Sequence, residues 1–136
     1  MNIIADTNIL IRFILADDEN QYKSAIKLFD KAKSITIPTL VLCETVWVLR
    51  GYKIDKKAIA RQIRAITQSE KIILADDEVK AGLDLLESGG DFADGVIAYI
   101  GRKLSPDRMG IFASFDQAAV RLLNQNGYSA FIPNAS

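Results

Sequence analysis

The sequence predicts an α/β fold with a mostly parallel central sheet covered on both faces by helices. Two observations predict it. Short apolar runs of strand length alternate with longer segments of helical periodicity along the whole chain. The runs are short and mostly apolar, and with helices between them their strands are expected to be covered on both faces. No internal repeat, linker or low-complexity stretch interrupts the pattern, and residues 1–136 are expected to form a single domain.

Residues 3–5 form a first short apolar run that stops at Asp6-Thr7-Asn8, polar residues suited to capping a helix. Ile9, Leu10, Phe13 and Ile14 then recur at helical spacing. Residues 19–33 predict a second helix with Tyr22, Ile26 and Phe29 on one face, and residues 34–37 a strand closed by Pro38. The nearly continuous apolar run 39–50 lacks Gly and Pro, ends on a basic residue and predicts a largely buried helix that Gly51 terminates. Residues 55–67 predict an amphipathic helix with Ile59, Ile63 and Ile66 inward, followed by a strand at 71–74 and a helix at 76–86. After the Gly89-Gly90 break, Asp91 and Asp94 fall in the first turn of a helix carrying Val96, Ile97, Ile100 and Leu104. A strand at 109–114, a helix from Asp116 to Asn124 and a final edge strand at 128–132 complete the expectation.

A chain of 136 residues that is 49% hydrophobic and 25% charged has the make-up of a water-soluble globular protein. At this size it buries about two thirds of its unfolded surface, so it needs no metal or disulfide to hold a core. Any metal is expected to be functional. Lys plus Arg and Asp plus Glu each number 17, so no net field selects a polyanion, and a nuclease would have to concentrate its phosphate contacts in one cleft. With one cysteine, Cys43, and no histidine, the zinc patterns and the Ser-His-Asp and Cys-His hydrolases are excluded, which leaves carboxylates as the abundant catalytic groups. The start has no basic leader, and the apolar stretch 9–16 is short and broken by Arg12; no signal peptide or membrane span is expected, and a reducing cytoplasm fits best.

Open parallel sheets bind ligands beyond the carboxyl ends of their strands. Asp6 and Asp116 follow predicted strands and Asp94 lies in a first helical turn, so three acids fall at such an edge; each also has a plain role as a helix cap or dipole partner. Glu44 is expected to emerge within an apolar helical face, between Leu40 and Val48 and flanked by Val41 and Trp47. Buried there, it needs a partner: a guanidinium such as Arg12, Arg50 or Arg102, or a metal ion. Carboxylates with open water positions suit magnesium or manganese and a phosphate substrate.

Four short motifs, Ile4-Ala5-Asp6-Thr7-Asn8, Pro38-Thr39-Leu40-Val41-Leu42-Cys43-Glu44, Asp91-Phe92-Ala93-Asp94 and Ser114-Phe115-Asp116, stand in an order that resembles a PIN domain over nearly the whole chain. The small size is similar to the toxin half of VapBC toxin-antitoxin pairs. The resemblance implies a three-layer PIN-like fold and metal-dependent hydrolysis of RNA phosphodiester bonds. Asp6, Glu44, Asp94 and Asp116 would share one pocket and hold one or two Mg²⁺ or Mn²⁺ ions. Thr7, Asn8 and Ser114 would orient acids or waters, and Asp91 would serve as N-cap first and accessory acid second. It also implies a homodimer and a cognate antitoxin that fills the active-site groove. Ser114 stands where threonine is common in the family, and the chain from Gln117 onward is less acidic than in many members.

Three other readings compete. A haloacid-dehalogenase-like phosphatase also starts with a strand ending in Asp, but wants a second aspartate where Asn8 stands. A PIN-like domain that only binds RNA or protein accords with the zero net charge. An RNA-processing nuclease outside any toxin system would use the same residues.

Overall fold

A computed structural model describes residues 1–134, and among them the chain is α/β, with seven α-helices and two parallel sheets. It divides into two compact units, Met1–Ala75 and Asp76–Ser136.

In the first unit, β1 (Asn2–Ile4), β2 (Ser34–Thr36) and β3 (Ile72–Ile73) form one sheet in that order, with Ile3 opposite Ile35 and Ile35 opposite Ile72. Parallel strands cannot be joined by tight turns. The connections are therefore helical: α1 (Thr7–Leu15) and α2 (Glu19–Lys31), then α3 (Thr39–Gly51) and α4 (Lys56–Thr67). Asp18 and Asp55 cap α2 and α4 through side-chain oxygens that accept from the Gln21 and Ala58 amides, satisfying donors that a helix start leaves open. The Lys71 ammonium donates to the carbonyls of Phe29 and Asp30, both at 2.9 Å, and so closes the other end of α2 with a charge that suits the dipole. The core is Leu10, Ile11, Ala25, Ile35, Ile37, Leu42, Val46, Leu49, Ile59 and Ile63.

The second unit contains α5 (Asp76–Glu87), α6 (Phe92–Leu104), β4 (Phe112–Ala113), α7 (Gln117–Gln125) and β5 (Ala130–Phe131), with β5 parallel to β4. Helices α5 and α6 pack closely. A Cβ on Gly95 would stand 2.4 Å from the Ala81 carbonyl oxygen, and one on Gly82 would meet the Phe92 ring at 2.6 Å. Leu85, Ala98, Leu122 and Leu123 form a core against which Phe112, Tyr128 and Ala130 pack.

The elements follow the sequence order, with differences at their margins. The strands are two or three residues long where three to six were expected, and Pro106–Arg108 forms a 3₁₀ turn ahead of β4. Helix α3 is not largely buried: it buries Leu42, Thr45, Val46 and Leu49, one stripe, while Leu40 and Trp47 on another face are 69% and 79% exposed.

Candidate functional site

Within the first unit, β1 runs into Asp6, whose backbone is still extended. Its Oδ1 accepts the Thr7 amide at 2.7 Å, capping α1. One carboxylate oxygen is thereby committed and the other is open to solvent, since Asp6 is exposed. The neighbouring Thr7 hydroxyl is buried and has no hydrogen-bond partner among the described residues. A buried polar atom left in that state is costly, of order 1–3 kcal/mol, and points to an oxygen ligand or water beside Asp6. Asn8 is exposed in the first turn of the same helix.

Glu44 corrects an expectation. It is exposed, because its helical neighbours Leu40 and Trp47 are exposed with it and the stripe that faces the core lies on the other side of α3. An exposed carboxylate pays no burial cost, so the argument that Glu44 requires a partner does not hold. The three arginines considered as partners are engaged elsewhere. Arg12 pairs with Asp17 at 2.9 Å, Arg50 donates to the Ile54 carbonyl at 2.8 Å, and Arg102 donates to the Gly127 carbonyl and lies 4.3 Å over the Tyr128 ring.

The second unit holds Asp91, Asp94, Ser114 and Asp116. Asp91 occupies the N-cap position of α6 with extended backbone, yet its side chain makes no capping hydrogen bond. The expected N-cap role is thus positional only, and the carboxylate is left to act as a charge. Asp94, half-buried in the first turn of α6, shows the effect. Its carboxyl is raised above the ordinary aspartate range, first by burial, then by the Asp91 charge and then by the Asp116 charge. The three-residue spacing of Asp91 and Asp94, from the N-cap into the first turn, was the signal in the sequence for this coupling, and it accords with the second of the two roles expected of Asp91, that of an accessory acid.

Asp116 caps α7, its Oδ1 accepting the Ala119 amide at 3.0 Å. The Ser114 hydroxyl in turn accepts the Asp116 amide at 3.0 Å, which fixes the backbone that carries the acid. Ser114 therefore holds Asp116 in place through the main chain rather than by touching its carboxylate.

Among the described residues no three Cys, Asp or Glu side chains are gathered as a metal site. Magnesium does not require such a cage, being held through one or two carboxylates with water and substrate phosphate filling the remaining positions. A repelling set of oxygen donors around Asp94 and an orphaned hydroxyl beside Asp6 both suit a hard divalent cation and its waters. No helix is long and apolar enough to cross a membrane among the described residues.

Residues 3–103 match the PIN domain family, a nuclease-type fold whose members generally use divalent metals. The match takes in Asp6, Glu44, Asp91 and Asp94 and ends before Ser114 and Asp116. No curated protein and no solved structure matches the chain. Since the matched residues are well over half of the 136, the chain belongs to the PIN domain family.

Proposed function

We propose that this protein is a divalent-metal-dependent ribonuclease in which Asp6, Glu44, Asp94 and Asp116 hold one or two Mg²⁺ or Mn²⁺ ions. The observation that carries the reading is the state of Asp94. A carboxyl pushed up first by burial and then by the charges of Asp91 and Asp116 is an unfavourable arrangement for the protein alone and a favourable one for a cation. Membership of a family of nucleases supplies the reaction class.

A bound divalent ion would supply Lewis acidity toward water and toward the phosphoryl oxygens of RNA. The chain's own part is positioning. Asp6 and Asp116 each commit one carboxylate oxygen to a helix N-terminus, which fixes the direction of the other oxygen. Ser114 locks the turn before Asp116. Thr7 offers a buried hydroxyl that a water or phosphate oxygen would satisfy, Asn8 an exposed amide, and Asp91 a second charge on the face of Asp94.

We read residues 1–136 as one PIN domain, because the family match crosses from the first compact unit into the second. We also read the protein as the toxin of a toxin-antitoxin pair, a cytoplasmic homodimer silenced by a cognate antitoxin. The small size, similar to that of the toxin half of VapBC pairs, supports this.

The nuclease reading is tested by incubating purified protein with RNA in Mg²⁺ or Mn²⁺ and in EDTA, alongside Asp94→Asn. Cleavage that needs metal and is lost in the variant is expected; cleavage unchanged in EDTA would refute metal dependence. The toxin reading is tested by inducing the chain in a cell with and without its neighbouring reading frame. Growth arrest relieved by that neighbour is expected, and unaffected growth in both strains counts against it.

A further inference from the structure

Zero net charge conceals an uneven distribution. Residues 50–64, the end of α3, the turn after it and most of α4, carry six of the 17 Lys and Arg and only one acid, Asp55, which is committed to capping α4. Arg50 and Arg64 sit in the last turns of α3 and α4, which suit a cation, but Lys53, Lys56 and Lys57 stand where the backbone disfavours them. Lys56 and Lys57 open α4 with no acid in its first turn, against the positive end of the helix dipole. Lys53 takes a left-handed conformation, φ 61°, that a glycine would adopt without strain.

The same corner exposes the only tryptophan. Trp47 is 79% and Tyr52 60% exposed, and with Val48, Arg50 and Gly51 they line an open depression of about 460 Å³. The corner is not loose. The Tyr52 amide bonds the Val48 and Leu49 carbonyls, Lys53 bonds Arg50 at 2.8 Å, and Ile54 bonds Leu49 at 3.2 Å, so the rings sit on a fixed backbone.

Exposed aromatic faces alone would suit a protein partner. With Arg50 lining the same depression, and Lys53, Lys57 and Arg61 following in a stretch whose one acid is committed to a cap, they suit a flexible polyanion with flat faces, in which bases stack on the rings while the phosphates meet the charges. Duplex RNA hides its base faces, so the strand must be single.

We propose that the α3–α4 corner is a docking surface for single-stranded RNA, with Trp47 and Tyr52 stacking on unpaired bases and Arg50, Lys53, Lys57 and Arg61 holding the phosphates. It rests on the ribonuclease reading for its biological sense and deepens it: Trp47 lies three residues from Glu44 on the same exposed face of α3, so a strand on the rings leads toward that acid. The substrate is therefore unpaired where it enters.

The full chain in EDTA, titrated with a fluorescein-labelled 12-nucleotide oligouridylate, tests this without cleavage. The emission of the sole tryptophan is quenched on binding. Trp47→Ala weakens binding about tenfold or more, while Trp47→Phe keeps most of it. Lys57→Glu with Arg61→Glu weakens it further and lowers the salt slope by about 1.4, the share of two single-strand phosphates. Lys53→Gly weakens binding while its melting temperature is no lower than that of the parent.

Unmoved tryptophan emission, or wild-type affinity in Trp47→Ala protein that is folded by circular dichroism, overturns the proposal. So does an affinity that follows the charge changes alone. A dimer that dissociates in Trp47→Ala at unchanged RNA affinity makes the face an interface between copies and overturns it too. Metal-dependent cleavage at full rate by the Trp47 and charge variants sinks the surface and leaves the ribonuclease standing. Quenching and binding without cleavage in Mn²⁺ does the reverse.

Discussion

Asp94 is where the physical chemistry of single residues says most. Because the folded protein holds the Asp94 proton more tightly than the unfolded chain does, ionising it costs stability. The benefit of the protonated form is complete below the ordinary value near 3.8 and is lost as pH rises through the raised one. Metal-free stability is therefore expected to fall with rising pH over that window, less so in Asp94→Asn, which in EDTA at neutral pH melts above the parent. Melting curves in EDTA that keep the same pH dependence in both proteins would contradict this.

The same substitution is expected to lower metal-dependent cleavage by at least about 100-fold, as loss of a charge that positions a reacting group does. Asp116 separates its two roles. Asp116→Asn keeps an oxygen for the Ala119 amide and loses activity alone, whereas Asp116→Ala loses activity and about 1 kcal/mol of stability. Equal denaturation midpoints for the two variants would show that the cap is idle. The sequence made the acids visible as positions. Their surroundings were not visible: Glu44 looked buried because Leu40 and Trp47 are apolar, and both are exposed.

At the scale of elements, the α5–α6 crossing is the tightest contact. Gly95→Ala would drive a methyl into the Ala81 carbonyl, a backbone atom that cannot move aside as a flexible side chain could, so a loss of about 2 kcal/mol is expected in chemical denaturation. An unchanged midpoint would show that the helices can separate at no cost. Because Asp94 precedes this glycine, the variant is also expected to cleave more slowly in proportion to any shift of the α6 first turn.

Helices were the most legible elements, because Ile59, Ile63 and Ile66 or Val96 and Ile100 repeat at a period that only a helix satisfies. Strands of two residues carry too little pattern to fix their ends, so the expected strand at 109–114 shrank to Phe112–Ala113. The continuous apolar run of α3 hid which stripe faces inward, since Leu40 and Leu42 read alike and only the packing separates them.

For the whole molecule, the class of fold and the order of its elements were readable, and the family match agrees with the motifs over residues 3–103. A sum of zero does not show how charge is spread along the chain: residues 50–64, the end of α3 and most of α4, carry six cations and one acid. Binding of a cation by the folded state alone should also raise stability, by about 2.7 kcal/mol at a hundredfold excess over its Kd. A melting temperature that Mn²⁺ leaves unmoved would speak against a metal site of any affinity. The most direct test is cleavage of a single-stranded RNA by the purified full chain in Mn²⁺, compared with Asp6→Asn, Glu44→Gln, Asp94→Asn and Asp116→Asn. The account predicts cleavage by the parent, none in EDTA, and severe loss in all four variants with folding intact; variants that cut as fast as the parent would contradict it.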